Sequence, residues 1–82
     1  MSDTMAILVP ELGHGLSEAL VVEWLVSVGD TVERGDVIAV LETDKSSVDL
    51  LAQKAGTIVE IVVAARSITT SGAVLYKLDE RR

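Results

Sequence analysis

Apolar residues run along this chain in short blocks separated by polar or glycine-bearing gaps, and the alternation within the blocks favours strands over helices. Ala6 to Val9 forms the first block and Pro10 ends it, because proline cannot donate to a central ladder. A loop from Glu11 to Ser17 follows, holding Gly13 and Gly15. From Ala19 to Val28 the pattern is half-alternating, as in a strand with one partly wet face. A short helix is disfavoured there, since Val21, Val22, Val26 and Val28 are poor helix formers and no cap is convincing. Gly29-Asp30 and Gly35-Asp36 read as turns, leaving Thr31 to Glu33 room for a minimal strand only. Val37 to Leu41 predicts a buried strand. The six polar residues Glu42 to Ser47 then interrupt the pattern before Val48 to Leu51 resumes it, which predicts strand, tight turn, strand. Gly56 precedes a long apolar run, Thr57 to Ala65, and Gly72 precedes the last one, Ala73 to Leu78.

The chain also repeats itself. Val22, Glu23, Gly35, Val37 and Leu41 recur as Val59, Glu60, Gly72, Val74 and Leu78, every pair 37 positions apart, as Gly35 and Gly72 are. Two copies are too few for a solenoid, so they should pack face to face as a pseudo-two-fold sandwich or barrel. The same shift carries Asp44 and Lys45 onto Arg81 and Arg82. The lysine turn and the chain termini are therefore expected at equivalent, opposite poles.

Size and composition narrow this further. An 82-residue chain is one domain with a thin core. The hydrophobic fraction of 49%, with one Trp, one Tyr and no Phe, means that Val, Ile, Leu and Ala must build that core. Trp24 is expected inside it, as a side chain large enough to fill much of one layer. Cysteine is absent, which excludes disulfides, thiolate metal sites and intrinsic dithiol chemistry. A net charge of −6 argues against nucleic acid and for partners that offer a basic patch. No apolar run approaches the roughly 20 residues of a membrane span. The start, MSDTMA, carries neither a signal-peptide pattern nor an Arg-rich transit pattern, although a domain cut from a longer protein would look the same.

The chemistry concentrates in Leu41 Glu42 Thr43 Asp44 Lys45 Ser46 Ser47 Val48. An isolated Asp-Lys pair is ordinarily a solvated turn. Here it lies between two apolar strands of a duplicated all-β chain, and the segment resembles the lipoyl attachment motif of carrier domains in 2-oxoacid dehydrogenase complexes, as borne by dihydrolipoyl acyltransferases. The resemblance covers nearly the whole chain. Val9 Pro10 Glu11 Leu12 Gly13 is similar to the family's opening, Val22 Glu23 Trp24 Leu25 to its second strand, and Val28 to Val32 with Arg34 Gly35 Asp36 to its first turn region. Gly29, sixteen residues before Lys45, and Gly56, eleven after it, match positions where the family usually keeps glycine.

The resemblance implies an all-β fold, a flattened barrel of two four-stranded antiparallel sheets, forming one domain over residues 1–82 with its core at about 5–79. It also implies a non-catalytic carrier with lipoate bound covalently to Lys45, while Asp44, Thr43 and Ser46 shape the turn and its recognition by a lipoate ligase or lipoyl transferase. Asp44 is expected to restrain the turn by bonding backbone amides two residues on. Further implied partners are a thiamine-dependent 2-oxoacid decarboxylase, a dihydrolipoyl dehydrogenase and an acyltransferase core, in the cytoplasm or, in a eukaryote, the mitochondrial matrix. His14 and Glu18, from the loop that lies near the lysine turn in the family, and Glu42 are candidates for partner contacts.

Three other readings compete with this one. Biotin carriers of related sequence place their lysine between methionines, whereas Lys45 stands between Asp44 and Ser46, with Met1 and Met5 far away. An unmodified lipoyl-like binding or hinge module would often lack the Asp-Lys turn. An enzyme in its own right would need a nucleophile and base, a phosphate loop or a metal cluster, and none is visible. The second half departs from the family in two places. Ala64 Ala65 Arg66 Ser67 replaces a Gly-Asp turn, so a turn of different shape is expected there, and Leu51 to Ala55 lacks a proline, which leaves that strand end less sharply defined.

Overall fold

The computed structural model describes residues 4–10 and 18–80. Eight strands account for its regular structure: β1 (Thr4–Leu8), β2 (Glu18–Trp24), β3 (Thr31–Val32), β4 (Val37–Glu42), β5 (Ser47–Leu51), β6 (Gly56–Ile61), β7 (Ile68–Thr70) and β8 (Val74–Glu80). They form two four-stranded antiparallel sheets, one ordered β1-β8-β6-β3 and the other β5-β4-β2-β7. No helix is present among the described residues, and so none is long and apolar enough to cross a membrane.

The 37-residue repeat is written into the register. Shifting β2, β3 and β4 by 37 lands on β6, β7 and β8, and β5 takes the place of β1. Irregularities in the pairing repeat as well. A bulge between Val21 and Glu23 against β4 recurs between Ile58 and Glu60 against β8, and Ile38 is skipped opposite β5 as Leu75 is skipped opposite β1. Gly35 N–H donates to Ala52 and Gly72 N–H to Val9, the same bond in each half. Bulges bend and twist a strand, and two matched pairs of them curl the sheets toward each other. Strand β7 went unforeseen in the linear pattern because it is three residues long with two threonines, yet the shift from Thr31–Val32 points straight at it.

Inward-facing residues of both sheets interleave as the core. Val21, Ile38, Leu41, Ile58, Leu75 and Leu78 are fully buried, with Tyr76 1% exposed. As composition required, aliphatic side chains do most of this work. Trp24 packs against the core from a half-buried position, edge-on to the Tyr76 ring at 5.9 Å, and its indole N–H donates to the Val63 carbonyl at 2.8 Å. It closes the side of the barrel rather than filling a layer. Gly56 is a close-approach position, for a Cβ there would lie 2.5 Å from the Asp79 carbonyl oxygen and 2.9 Å from Leu78 Cγ.

The turn at Ala64–Ser67 keeps the shape of its counterpart at Ser27–Asp30, contrary to expectation. Gly29 N–H donates to the Ile58 carbonyl and Asp30 accepts from Ile58 N–H; Arg66 N–H donates to Val21 and Ser67 accepts from Val21 N–H. Arg66 achieves this by adopting φ +73°, the single non-glycine residue with positive φ among those described, where Gly29 has φ +100°. Tertiary pairing with β2 thus overrides the local preference of an L-residue. The strand end at Leu51 is also well defined without proline: Ala52 is buried and its N–H donates to the Asp36 carbonyl.

Strand continuity sets the poles. Leu20 lies beside Glu42 at the lysine end, and the chain from there runs through β2 to Val32, beside Gly56, which pairs with Glu80 near the C-terminus. The hairpin of β4 and β5 therefore caps the end of a 39 × 20 × 20 Å body opposite to that of Thr4 and Glu80.

Candidate functional site

The last pair of the β4-β5 ladder is Glu42 with Ser47, and the four residues beyond it form the tip. Thr43 N–H donates to the Ser46 carbonyl at 2.8 Å. Neither Asp44 nor Lys45 has positive φ, so this is not one of the mirror-image turns that two-residue hairpins favour. A side chain supplies the closure instead. Thr43 Oγ1 donates to the Ser46 carbonyl at 3.0 Å and accepts from the amides of Lys45 at 3.3 Å and Ser46 at 3.2 Å. One hydroxyl hydrogen and two lone pairs are all used. Thr43 is 9% exposed, whereas Asp44, Lys45 and Ser46 are all exposed.

The restraint expected of Asp44 is thus made by Thr43, one residue earlier, and the Asp44 carboxylate takes no part in the described hydrogen bonds. The physical reason is reach: with the chain entering the turn at residue 43, only that residue's Oγ1 faces both following amides. A threonine opening a four-residue polar turn was the available signal. Lys45 makes no ion pair among the described residues, where the surface pairs are Lys54 with Glu80 at 3.8 Å and Lys77 with Glu60 at 3.5 Å. Among the described residues its ammonium therefore stands clear on a four-carbon stem while its backbone is fixed. A group joined to Nζ would extend into solvent without displacing any core residue.

Of the candidate contact residues, Glu42 pairs with Leu20, and Glu18 lies two residues before Leu20 on the same outward face, so both residues sit on the outer face beside the hairpin. His14 lies outside the described residues.

Comparison with known proteins agrees with this geometry. The biotin/lipoyl family, described as "Biotin-requiring enzyme", matches residues 5–78. The dihydrolipoyllysine-residue acetyltransferase component of the pyruvate dehydrogenase complex from Staphylococcus aureus strains Mu50 and N315 is 37% identical over 70 residues, 85% of this chain and 16% of that protein. Its counterpart in Staphylococcus epidermidis RP62A is 36% identical over the same span. The chain thus corresponds to about 16% of the length of these relatives. With nearly all of its strands inside the matched region, the chain belongs to the biotin/lipoyl family.

Proposed function

We propose that this domain, with its functional unit at residues 5–79, carries a lipoyl group on Lys45 and shuttles acyl groups and reducing equivalents within a 2-oxoacid dehydrogenase complex. The observation that carries the reading is the Thr43-clamped tip, which fixes the backbone of Lys45 while leaving its side chain exposed at the pole away from Thr4 and Glu80. A primary amine so presented can attack an activated carboxyl through its deprotonated Nζ, breaking the bond to the activating group, which departs, and giving up a proton to solvent; the resulting amide is neutral and stable. Once attached, lipoate supplies a disulfide that can accept an acyl group and a pair of electrons.

The chain's own contribution is mechanical and electrostatic. The rigid hairpin sets where the arm begins, and the placement of Thr4 and Glu80 at the opposite pole lets a linker beyond either hold the body without crowding the tip. Tethering makes each transfer intramolecular and raises the effective concentration of the carried group. Asp44 and Ser46 flank the amine as the groups a lipoate ligase or lipoyl transferase would grip. A thiamine-dependent decarboxylase would load the arm, an acyltransferase core unload it and a dihydrolipoyl dehydrogenase reoxidise it. The naming of the relatives as acetyltransferase components of pyruvate dehydrogenase complexes supports this set.

Intact mass tests the reading. Incubation with a lipoate ligase, lipoate and ATP should add one lipoyl group, and incubation with a biotin ligase and biotin should add nothing, since no methionine flanks Lys45. Biotin without lipoyl would support the biotin carrier, and no addition from either would support the unmodified module.

A further inference from the structure

The pseudo-two-fold relation supplies an internal control for the outer faces of the two sheets. Across the sheet that carries the lysine hairpin, one outward row reads Ser47, Glu42, Leu20, Ile68. The equivalent row on the other sheet reads Thr4, Asp79, Thr57, Thr31. Leu20 and Ile68 thus stand where the same fold is content with threonine. In the next row Val40 beside Glu23 replaces Lys77 beside Glu60, and the ion pair Lys77 makes with Glu60 has no counterpart. That these positions face outward follows from their inward neighbours, Ala19, Val21, Leu41 and Thr69, which are all buried.

Among the described residues, nothing in the barrel's construction calls for apolar side chains here. Ile68 is 62% exposed, on an edge strand of only three residues. The apolar spot is also ringed by acid, with Glu18, Glu23, Glu42 and Asp49 in the same or adjoining rows and no Lys or Arg among these paired positions. An apolar centre with a charged rim is the anatomy of a protein interface, and in a chain of net charge −6 the rim selects a partner of opposite sign.

Resting on the carrier reading above, we propose that the outer face centred on Leu20, Val40 and Ile68 docks the thiamine-dependent decarboxylase, which would offer an apolar recess flanked by Lys or Arg. The decarboxylase is favoured over the modifying enzyme by distance. Attachment happens at Nζ of Lys45, so a ligase can recognise the tip itself. Acyl loading happens at the far end of a long arm, so that enzyme must hold the domain by its body, and this face is the part of the body next to the hairpin.

The test uses the double variant Leu20→Thr/Ile68→Thr, which installs the side chains of the symmetric face, and separately Val40→Lys. The probe is the decarboxylase of a pyruvate dehydrogenase complex. Both variants should melt near wild type and accept lipoate at an unchanged rate, while KM for decarboxylase-catalysed acylation rises about tenfold with kcat within about twofold. Added salt should raise the wild-type KM. In parallel, amide shifts of the unlipoylated wild-type domain titrated with the decarboxylase should move at Leu20, Val40 and Ile68 and stay still at Thr57, Lys77 and Thr31. That arm does not depend on lipoylation, so failure of the carrier reading and failure of the docking face are separable. An unchanged KM in the folded variants, shifts on the threonine face, or no shifts at all would overturn the proposal.

Discussion

Arg66 offers a perturbation whose sign runs against the usual effect of mutation. It holds φ +73° at a turn whose counterpart uses Gly29, and both turns make the same backbone bonds. The left-handed conformation costs an L-residue about 1–2 kcal/mol, and replacing it with glycine gives back about 0.5–1 kcal/mol through the freer unfolded chain. Arg66 is exposed and makes none of the described ion pairs, so little contact energy is lost. Arg66→Gly should therefore stabilise the domain by about 0.5–1 kcal/mol. For a chain of 82 residues the unfolding entropy is about 0.17 kcal/mol/K, which turns that gain into a Tm rise of roughly 3–6 °C. Thermal unfolding followed by Trp24 fluorescence would read it. Arg66→Ala, which keeps the Cβ and the strain, should move Tm little. Gly29→Ala should lower it, and there no atom lies within 4 Å of the new Cβ, so the backbone conformation alone is at issue. If Arg66→Gly is no more stable than Arg66→Ala, the strain argument fails.

Three further outcomes follow from the packing. Thr43→Val removes a hydroxyl that donates one bond and accepts two; a loss of about 1–2 kcal/mol and slower modification of Lys45 should appear in melts and ligase kinetics, with Thr43→Ser close to wild type. Tyr76 is buried, its hydroxyl without a partner among the described residues, and desolvation pushes its pKa up from 10.0. The unfolded chain therefore loses this proton first, so stability is intact below pH 10 and falls as pH rises above it. Tyr76→Phe should stabilise at neutral pH by about 1 kcal/mol and flatten that alkaline decline, as measured by denaturant melts across pH. Gly56→Ala should cost about 2–3 kcal/mol, because its Cβ meets the Asp79 backbone as well as the Leu78 side chain, and the backbone cannot swing away.

Much of the architecture was legible because period and punctuation agree: the strands at Val37–Leu41 and Val48–Leu51 and the lysine turn between them stand where the polar gap puts them. The repeat carried more still, anticipating two similar halves and the opposite poles. What it could not carry was a partner seen only in three dimensions. Arg66 takes a glycine conformation because Val21 pairs with its turn from a distant part of the sequence. Thr43, not Asp44, clamps the hairpin because the direction of entry into the turn decides which side chain reaches the amides. The contrast between Leu20 and Thr57 or Ile68 and Thr31 likewise becomes informative only when the register shows that those residues occupy equivalent outward positions.

The most direct measurement is site localisation after treatment with a lipoate ligase. The chain offers three lysines, Lys45 at the clamped tip, Lys54 in the connection between β5 and β6, and Lys77 within β8, the last two each with a carboxylate neighbour. Peptide mapping of the modified protein should find all of the lipoyl group on Lys45, and Lys45→Arg should remain unmodified. Lipoyl on Lys54 or Lys77, or its persistence in Lys45→Arg, would contradict the claim that the hairpin presents the attachment point.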